Sequence, residues 1–147
     1  VSTTARRSEG SMNRVSVNIT NFGIQWDDRF VASLIPKAMQ EQIDEAEATL
    51  EASTPGNYPE SELLNPAMLI ATQAELDFKR LTELANEPSD KPVLVVRLPL
   101  DVSHRYMIKD GKLVKQCFAL YILDGHHRVV SAKLRGVLVK ALVVGDV

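Results

Sequence analysis

The chain has 147 residues, of which 45% are apolar and 24% charged, with seven Gly and seven Pro. That composition fits one globular domain with a buried core and excludes a collagenous, low-complexity or disulfide-stapled chain. Cys117 is the lone cysteine, so no internal disulfide forms, and no apolar run approaches the roughly 18 to 20 residues of a membrane span. The expected setting is the cytoplasm, with no membrane partner. The net charge of −2 conceals a split: residues 1–90 carry 7 Lys and Arg against 15 Asp and Glu, residues 91–147 carry 10 against 4. A basic C-terminal third favours an anionic ligand there, unless the acidic part neutralises it on folding.

Residues 1–13 lack periodicity and read as a disordered tail outside the fold. Val15–Thr20 alternates apolar and polar residues like a short half-buried strand and meets a turn signal at Asn21–Gly23. Pro36 suits a first helical turn, and Met39, Ile43, Ala46 and Leu50 recur at helical spacing, which predicts an amphipathic helix over residues 36–53. Its other face carries Glu41, Asp44, Glu45, Glu47 and Glu51, the pattern of a solvated surface rather than of a metal site. Breakers over Thr54–Pro59 separate an N-terminal strand and helix, residues 14–60, from a domain over residues 61–147.

Pro66 can open a further helix or pair of helices, with Leu69, Ala74, Leu76, Leu81, Leu84 and Ala85 as its apolar stripe and Asn86–Pro92 as its stop. Pro92–Pro99 is a β-branched run expected to form a buried strand. Asp110–Gly111 is a hairpin turn expected to join Arg105–Ile108 to a strand at Phe118–Leu123. A helix over Ser131–Arg135 closed by Gly136, and a last strand over Val137–Val144, complete the chain. The predicted class is α+β, a small mixed sheet with flanking helices and an N-terminal strand-helix extension.

Between the strand that ends at Leu123 and the following helix lies Asp124-Gly-His-His-Arg128. Gly125 permits a tight turn with close backbone approach, and the N–H groups that open a helix suit a phosphate. Arg128 can add bidentate donors to the same anion. His126 and His127 are adjacent and, in a first turn, point about 100 degrees apart, so they cannot both face one bound atom. Asp124 can accept a proton, hold Mg²⁺ beside a nucleotide, or simply cap the helix. Asp-Gly is also a common plain turn, which is the bland alternative. A zinc site is not expected, because no Cys-x-x-Cys or His-x-x-x-His spacing exists.

The run from Ile122 to Gly136 resembles the strand, phosphate-binding turn and helix of the ParB/sulfiredoxin-like superfamily. Upstream, Asn65-Pro66, Leu81–Ala85 and Pro92–Arg97 resemble that family's order of Asn-Pro segment, short helix and strand, so the likeness spans residues 62–147. Sulfiredoxins carry a catalytic Cys where His126 stands, and partition proteins carry Gly-Glu-Arg-Arg where Gly125–Arg128 stands. The Asp-Gly-His-His-Arg form is most similar to the free serine kinases and ParB-like nucleotide-binding proteins. The resemblance implies phosphate binding at Gly125, His126, His127 and Arg128, and a catalytic part for Asp124, His126 and His127. It further implies a nucleotide (ADP, ATP or CTP) with Mg²⁺, a small phosphate acceptor, and an acidic residue elsewhere as base. Glu62, Glu75, Asp77 and the pair Asp27 and Asp28 are the candidates.

Two other classes of function remain open at this level. A DNA-binding, ParB-like nuclease or partition module would use Arg97, Arg105, Lys109, Lys112, Lys115, Lys133, Arg135 and Lys140, with only Tyr106, Phe118 and Tyr121 to stack on bases. A structural part of a larger assembly or homo-oligomer would dock through the acidic helix, and the missing initiator Met suits a piece of a longer chain. Trp26 reads as a packing residue, Cys117 has no redox role, and Asp101, Ser103 and His104 lie too close in sequence for a catalytic set.

Overall fold

The computed structural model describes residues 15–27, 33, 35–99, 106–115 and 118–145. The expectations placed on the tail, Asp28, Asp101, Ser103, His104, Arg105 and Cys117 lie outside these residues. In chain order the elements are β1 (Ser16–Asn18), β2 (Gln25–Trp26), α1 (Lys37–Ala52), β3 (Glu62–Leu64), β4 (Ile70–Ala71), β5 (Glu75–Asp77), α2 (Phe78–Asn86), β6 (Val93–Pro99), β7 (Tyr106–Lys109), β8 (Lys112–Lys115), β9 (Phe118–Asp124), α3 (His126–Arg135) and β10 (Val139–Val144). The class is α+β, with three α-helices and a mixed sheet among the described residues. None of those helices is long and apolar enough to cross a membrane.

Six strands form the main sheet in the order β2, β4, β9, β6, β10, β3. β2, β4 and β9 run parallel, β9 meets β6 antiparallel, β6 and β10 are parallel, and β3 closes the edge antiparallel to β10. Because strand side chains alternate between faces, β6 sends Val93 and Val95 to one side and Leu94, Val96 and Leu98 to the other. Both sides are buried, which is why β6 reads as a continuous apolar run. On one side Val129, Val130 and Ala132 of α3 and Leu81 of α2 join Leu120 and Ile122 of β9. On the other, Ile43 and Leu50 of α1 pack with Ala119 and Tyr121. The acidic face of α1 is exposed, so its apolar stripe is spent within the chain.

Several elements differ from the sequence reading. The stretch from Pro66 is not helical up to Asp77: a 3-10 turn at Pro66–Met68 leads into β4, then β5, and only α2 is α-helix. Leu69, Ala71 and Leu76 are buried from strand and turn positions. The helix starts at Phe78 because the Asp77 carboxylate accepts from the Lys79 amide. Asp110–Gly111 does make a hairpin turn, both residues at positive φ (54° and 76°), but it joins β7 to β8. β9 pairs instead with β6 in the main sheet. α3 begins five residues before Ser131, so His126, His127 and Arg128 form its first turn. The first strand stops at Asn18, whose side chain caps a 3-10 turn over Ile19–Phe22.

Leu50 is 3% exposed between α1 and the sheet. Leu50→Ala should lower unfolding free energy by about 2–4 kcal/mol. Urea denaturation followed by circular dichroism and by Trp26 fluorescence should show one shared transition, since α1 and the sheet have a common core.

Candidate functional site

The junction between β9 and α3 is built around Gly125. Its φ is 99°, and a Cβ there would come within 2.6 Å of Val93 Cγ1 and 2.9 Å of the Arg128 Nη2 atom. Both the backbone and the space therefore require glycine. No side chain caps α3 at this end. The first N–H groups of a helix have no partner within it and form its positive end. A cleft of about 240 Å³ opens there, lined by Leu123 through Arg128 together with Gln73 and Arg80. All five residues of the Asp124–Arg128 motif thus line one cleft.

The side chains of the motif also tie the fold together. His126, 4% exposed, accepts the Thr72 amide at Nε2 (3.1 Å), with the Thr72 hydroxyl 3.3 Å away. That hydroxyl donates to the Ile122 carbonyl at 2.6 Å. His127 accepts the Asp77 amide at Nε2 (2.9 Å). Arg128 donates from Nη1 to the carbonyls of Lys91 and Pro92, both at 2.9 Å, and its Nη2 lies 3.5 Å from Asp124 Oδ2. Asp124 itself is largely exposed, at 60% of its side chain. The two histidines diverge as adjacent helical residues must, one toward the end of β4 and one toward the end of β5.

These contacts decide the charges. Burial pushes His126 down from 6.5 to about 4, with His127 adding to the effect and Asp124 opposing it. Burial also lowers His127, against the pull of Asp77. Both rings are therefore neutral at pH 7. Burial lowers Arg128 too, Asp124 counteracting, yet a guanidinium stays a cation at neutral pH. The positive charge of the cleft thus comes from Arg128 and Arg80, the latter half-exposed and 3.7 Å from Glu83.

Of the candidate bases, Asp77 comes to the motif through its amide, but its carboxylate is spent on the α2 cap. Asp27 accepts from the Tyr121 hydroxyl, a residue of the α1 side of the sheet. Glu62 and Glu75 are exposed on β3 and β5 and do not line the cleft. Among the described residues no three His, Cys, Asp or Glu side chains converge as a metal site. Thr72, Gln73 and Arg80 were not legible in the sequence as site residues. Each reaches the cleft or the motif by sheet topology, and no local spacing marks them.

Comparison with protein-family models, curated proteins and solved structures finds no match for this chain. The fold and the site together define an α+β protein with a polar cleft at a strand-to-helix junction.

Two outcomes test this geometry. Gly125→Ala should destabilise the protein by about 2–4 kcal/mol, read from urea denaturation, because strain and crowding coincide. For His126 the folded value lies below the ordinary one, so the unfolded chain takes the proton first as pH falls. Stability from this group is complete above about pH 6.5 and declines toward pH 4, by roughly 3 kcal/mol in all. Unfolding free energies from pH 7.5 to 4 should lose most of that decline in His126→Gln.

Proposed function

We propose that the cleft binds the phosphate portion of a nucleotide, as the likeness of Asp124–Arg128 to the ParB/sulfiredoxin-like superfamily implies, and that the protein is a nucleotide-dependent phosphotransferase. The observation that carries this reading is an uncapped helix N-terminus opening into a polar cleft with two arginines on its wall. Oriented backbone N–H groups and guanidinium groups are what phosphoryl transfer needs, since it depends on positioning and charge stabilisation. A volume of about 240 Å³ suits one or two phosphate groups, with the nucleoside outside. ADP, ATP and CTP are the nucleotides to consider.

Within this reading the roles divide by what each side chain already does. Arg80 is exposed and makes a surface ion pair with Glu83 that it can leave for a ligand, whereas Arg128 is anchored through Nη1, with Nη2 3.5 Å from Asp124. Asp124 is the exposed carboxylate of the cleft, placed to accept a proton from a phosphate acceptor. Asp124 is the carboxylate that lines the cleft among the described residues, so it would be the residue to hold Mg²⁺, which would supply charge neutralisation to phosphate oxygens.

A thermal-denaturation screen tests the proposal. ADP, ATP or CTP with Mg²⁺ at about 100 times its dissociation constant should stabilise the fold by about 2.7 kcal/mol and raise Tm by roughly 5–10 °C. Arg80→Ala should abolish the shift with little change in the Tm of the free protein. Arg128→Ala should lower the free protein's Tm as well, because it frees two carbonyls. No shift with any nucleotide, with or without Mg²⁺, overturns the reading.

A further inference from the structure

β3 is an edge strand of the main sheet. Glu62–Leu64 pair with Val139–Ala141 of β10 on one side, and among the described residues no strand lies on the other. An antiparallel strand turns the backbone groups of alternate residues to opposite sides, so β3 leaves N–H and C=O groups facing outward. No backbone bond among the described residues takes them up. Sheets guard such an edge with charges, Pro or a bulge. Here the centre of the edge is Leu63, 60% exposed, with Glu62 as the single charge of the strand.

The apolar surface continues past the strand. At the end of α3 the Gly136 amide closes on the Lys133 carbonyl and the Val137 amide on the Ala132 carbonyl, a Schellman cap that sets Val137 and Leu138 outside the helix, both about half exposed. Together with Asn65–Ala67, Lys133 and Gly136 they line a groove of about 270 Å³ beyond the end of β3. Met68 and Leu134, each next in sequence to a lining residue, are exposed as well. Five of the eight exposed large apolar residues among those described thus lie in β3, in this groove or next to it in sequence. Such a concentration marks an interface, whereas hydrophobic residues scattered singly do not. The groove lining holds one cation, Lys133, and no carboxylate, and Arg135 follows in the last turn of α3. The lead into β3 is the reverse, with Glu60 and Glu62 both exposed and no cation from Glu60 to Leu64.

We propose that the chain forms a two-fold symmetric dimer in which β3 pairs antiparallel with β3 of a second copy, joining the two main sheets. The register that pairs all three residues is centred on Leu63, so Leu63 meets Leu63 and Glu62 meets Leu64. Leu63 shares its sheet face with Lys140, while Glu62 and Leu64 share the α3 face with Val139 and Ala141. Because the two strands run in opposite directions, the acidic lead of one copy passes the Asn65–Ala67 wall of the other's groove. Carried two residues past the strand, the same register sets Glu60 opposite Pro66. Glu60 and Glu62 therefore approach the Lys133 and Arg135 end of the second copy, once on each side of the axis. This self-complementarity selects a second copy over a foreign strand, since one chain carries the acidic lead, the apolar centre and the basic groove in matching order. A two-fold contact closes on itself, so it consumes the β3 edge without propagating.

Sedimentation equilibrium of the intact chain tests the proposal. It should show a reversible monomer–dimer equilibrium between micromolar and millimolar concentrations. Leu63→Lys, which sets two like charges opposite each other at the centre of the edge, should raise the dimer dissociation constant roughly tenfold or more while leaving the Tm of the dilute chain unchanged. Glu60→Lys with Glu62→Lys should weaken the dimer, and so should Lys133→Glu with Arg135→Glu, with circular dichroism confirming that each double variant is folded. Mixed in equal amounts, these two double variants should form a heterodimer tighter than either homodimer, because every charged segment then meets its opposite on both sides of the axis. A chain that stays monomeric throughout, a dimer that survives Leu63→Lys, or a charge-swapped mixture without preference for the heterodimer overturns the proposal.

Discussion

The ends of β4 and β5 and the approach to β6 meet at the start of α3, and the side chains of that helix's first turn take up their part-buried backbone groups. Arg128 takes the carbonyls of Lys91 and Pro92, just before β6. His126 takes the amide that follows β4, His127 the last amide of β5, and the Thr72 hydroxyl closes on the Ile122 carbonyl of β9. The first turn of α3 thus pairs four backbone groups at the ends of three strands, and Thr72 adds a fifth on β9. Each would cost about 1–3 kcal/mol if buried without a partner. Gly125 makes the arrangement possible, because only glycine fits between Val93 and the Arg128 guanidinium at that φ.

It follows that the polar residues of the motif have a structural job whatever the cleft binds. Replacing Arg128 or either histidine disturbs strand ends as well as the cleft, so a lost activity in such a variant says little by itself. Arg80 and Asp124 are different. Both line the cleft, both are substantially exposed, and neither holds a strand end. Variants at those two positions therefore probe the cleft without disturbing a strand end, whereas variants at His126 and His127 do both.

Much of this was legible locally. The apolar runs of β6, β9 and β10 announce strands, Asp110–Gly111 announces a hairpin, and Gly125 followed by His-His-Arg128 announces a polar junction. What was not legible depends on distance along the chain. β4 has two residues, too few for any periodicity, and is a strand only because β2 and β9 flank it. Leu69 and Leu76 match a helical stripe by spacing yet are buried from strand and turn positions, because the Asp77 cap delays α2 to Phe78. The hairpin went to β8 rather than β9 because β9 gains more by pairing inside a sheet covered on both faces. Arg80 and Thr72 enter the site by the same long-range pairing, so no motif around them could have shown it.

The charge split along the chain also means something different once folded. The C-terminal third is basic in sequence, but among its described residues Arg128 is the one cation that lines the cleft. Arg97 donates to the Gly145 carbonyl and lies over the Phe118 ring, 5.1 Å from its centroid. Lys133 lies beside Gly23, and Lys140 is exposed on β10. The cleft lining brings Arg80 and Arg128 together with Asp124, His126 and His127, and Asp77 acts on His127 from nearby. The lining sets two guanidinium groups against one carboxylate, a small positive excess. An anion entering this cleft would meet aligned N–H donors at short range rather than a field of excess cations. Such donors reward an oxygen-rich group of the right shape and do little for a diffuse polyanion, which is the ground for proposing a compact phosphate here rather than a nucleic-acid backbone.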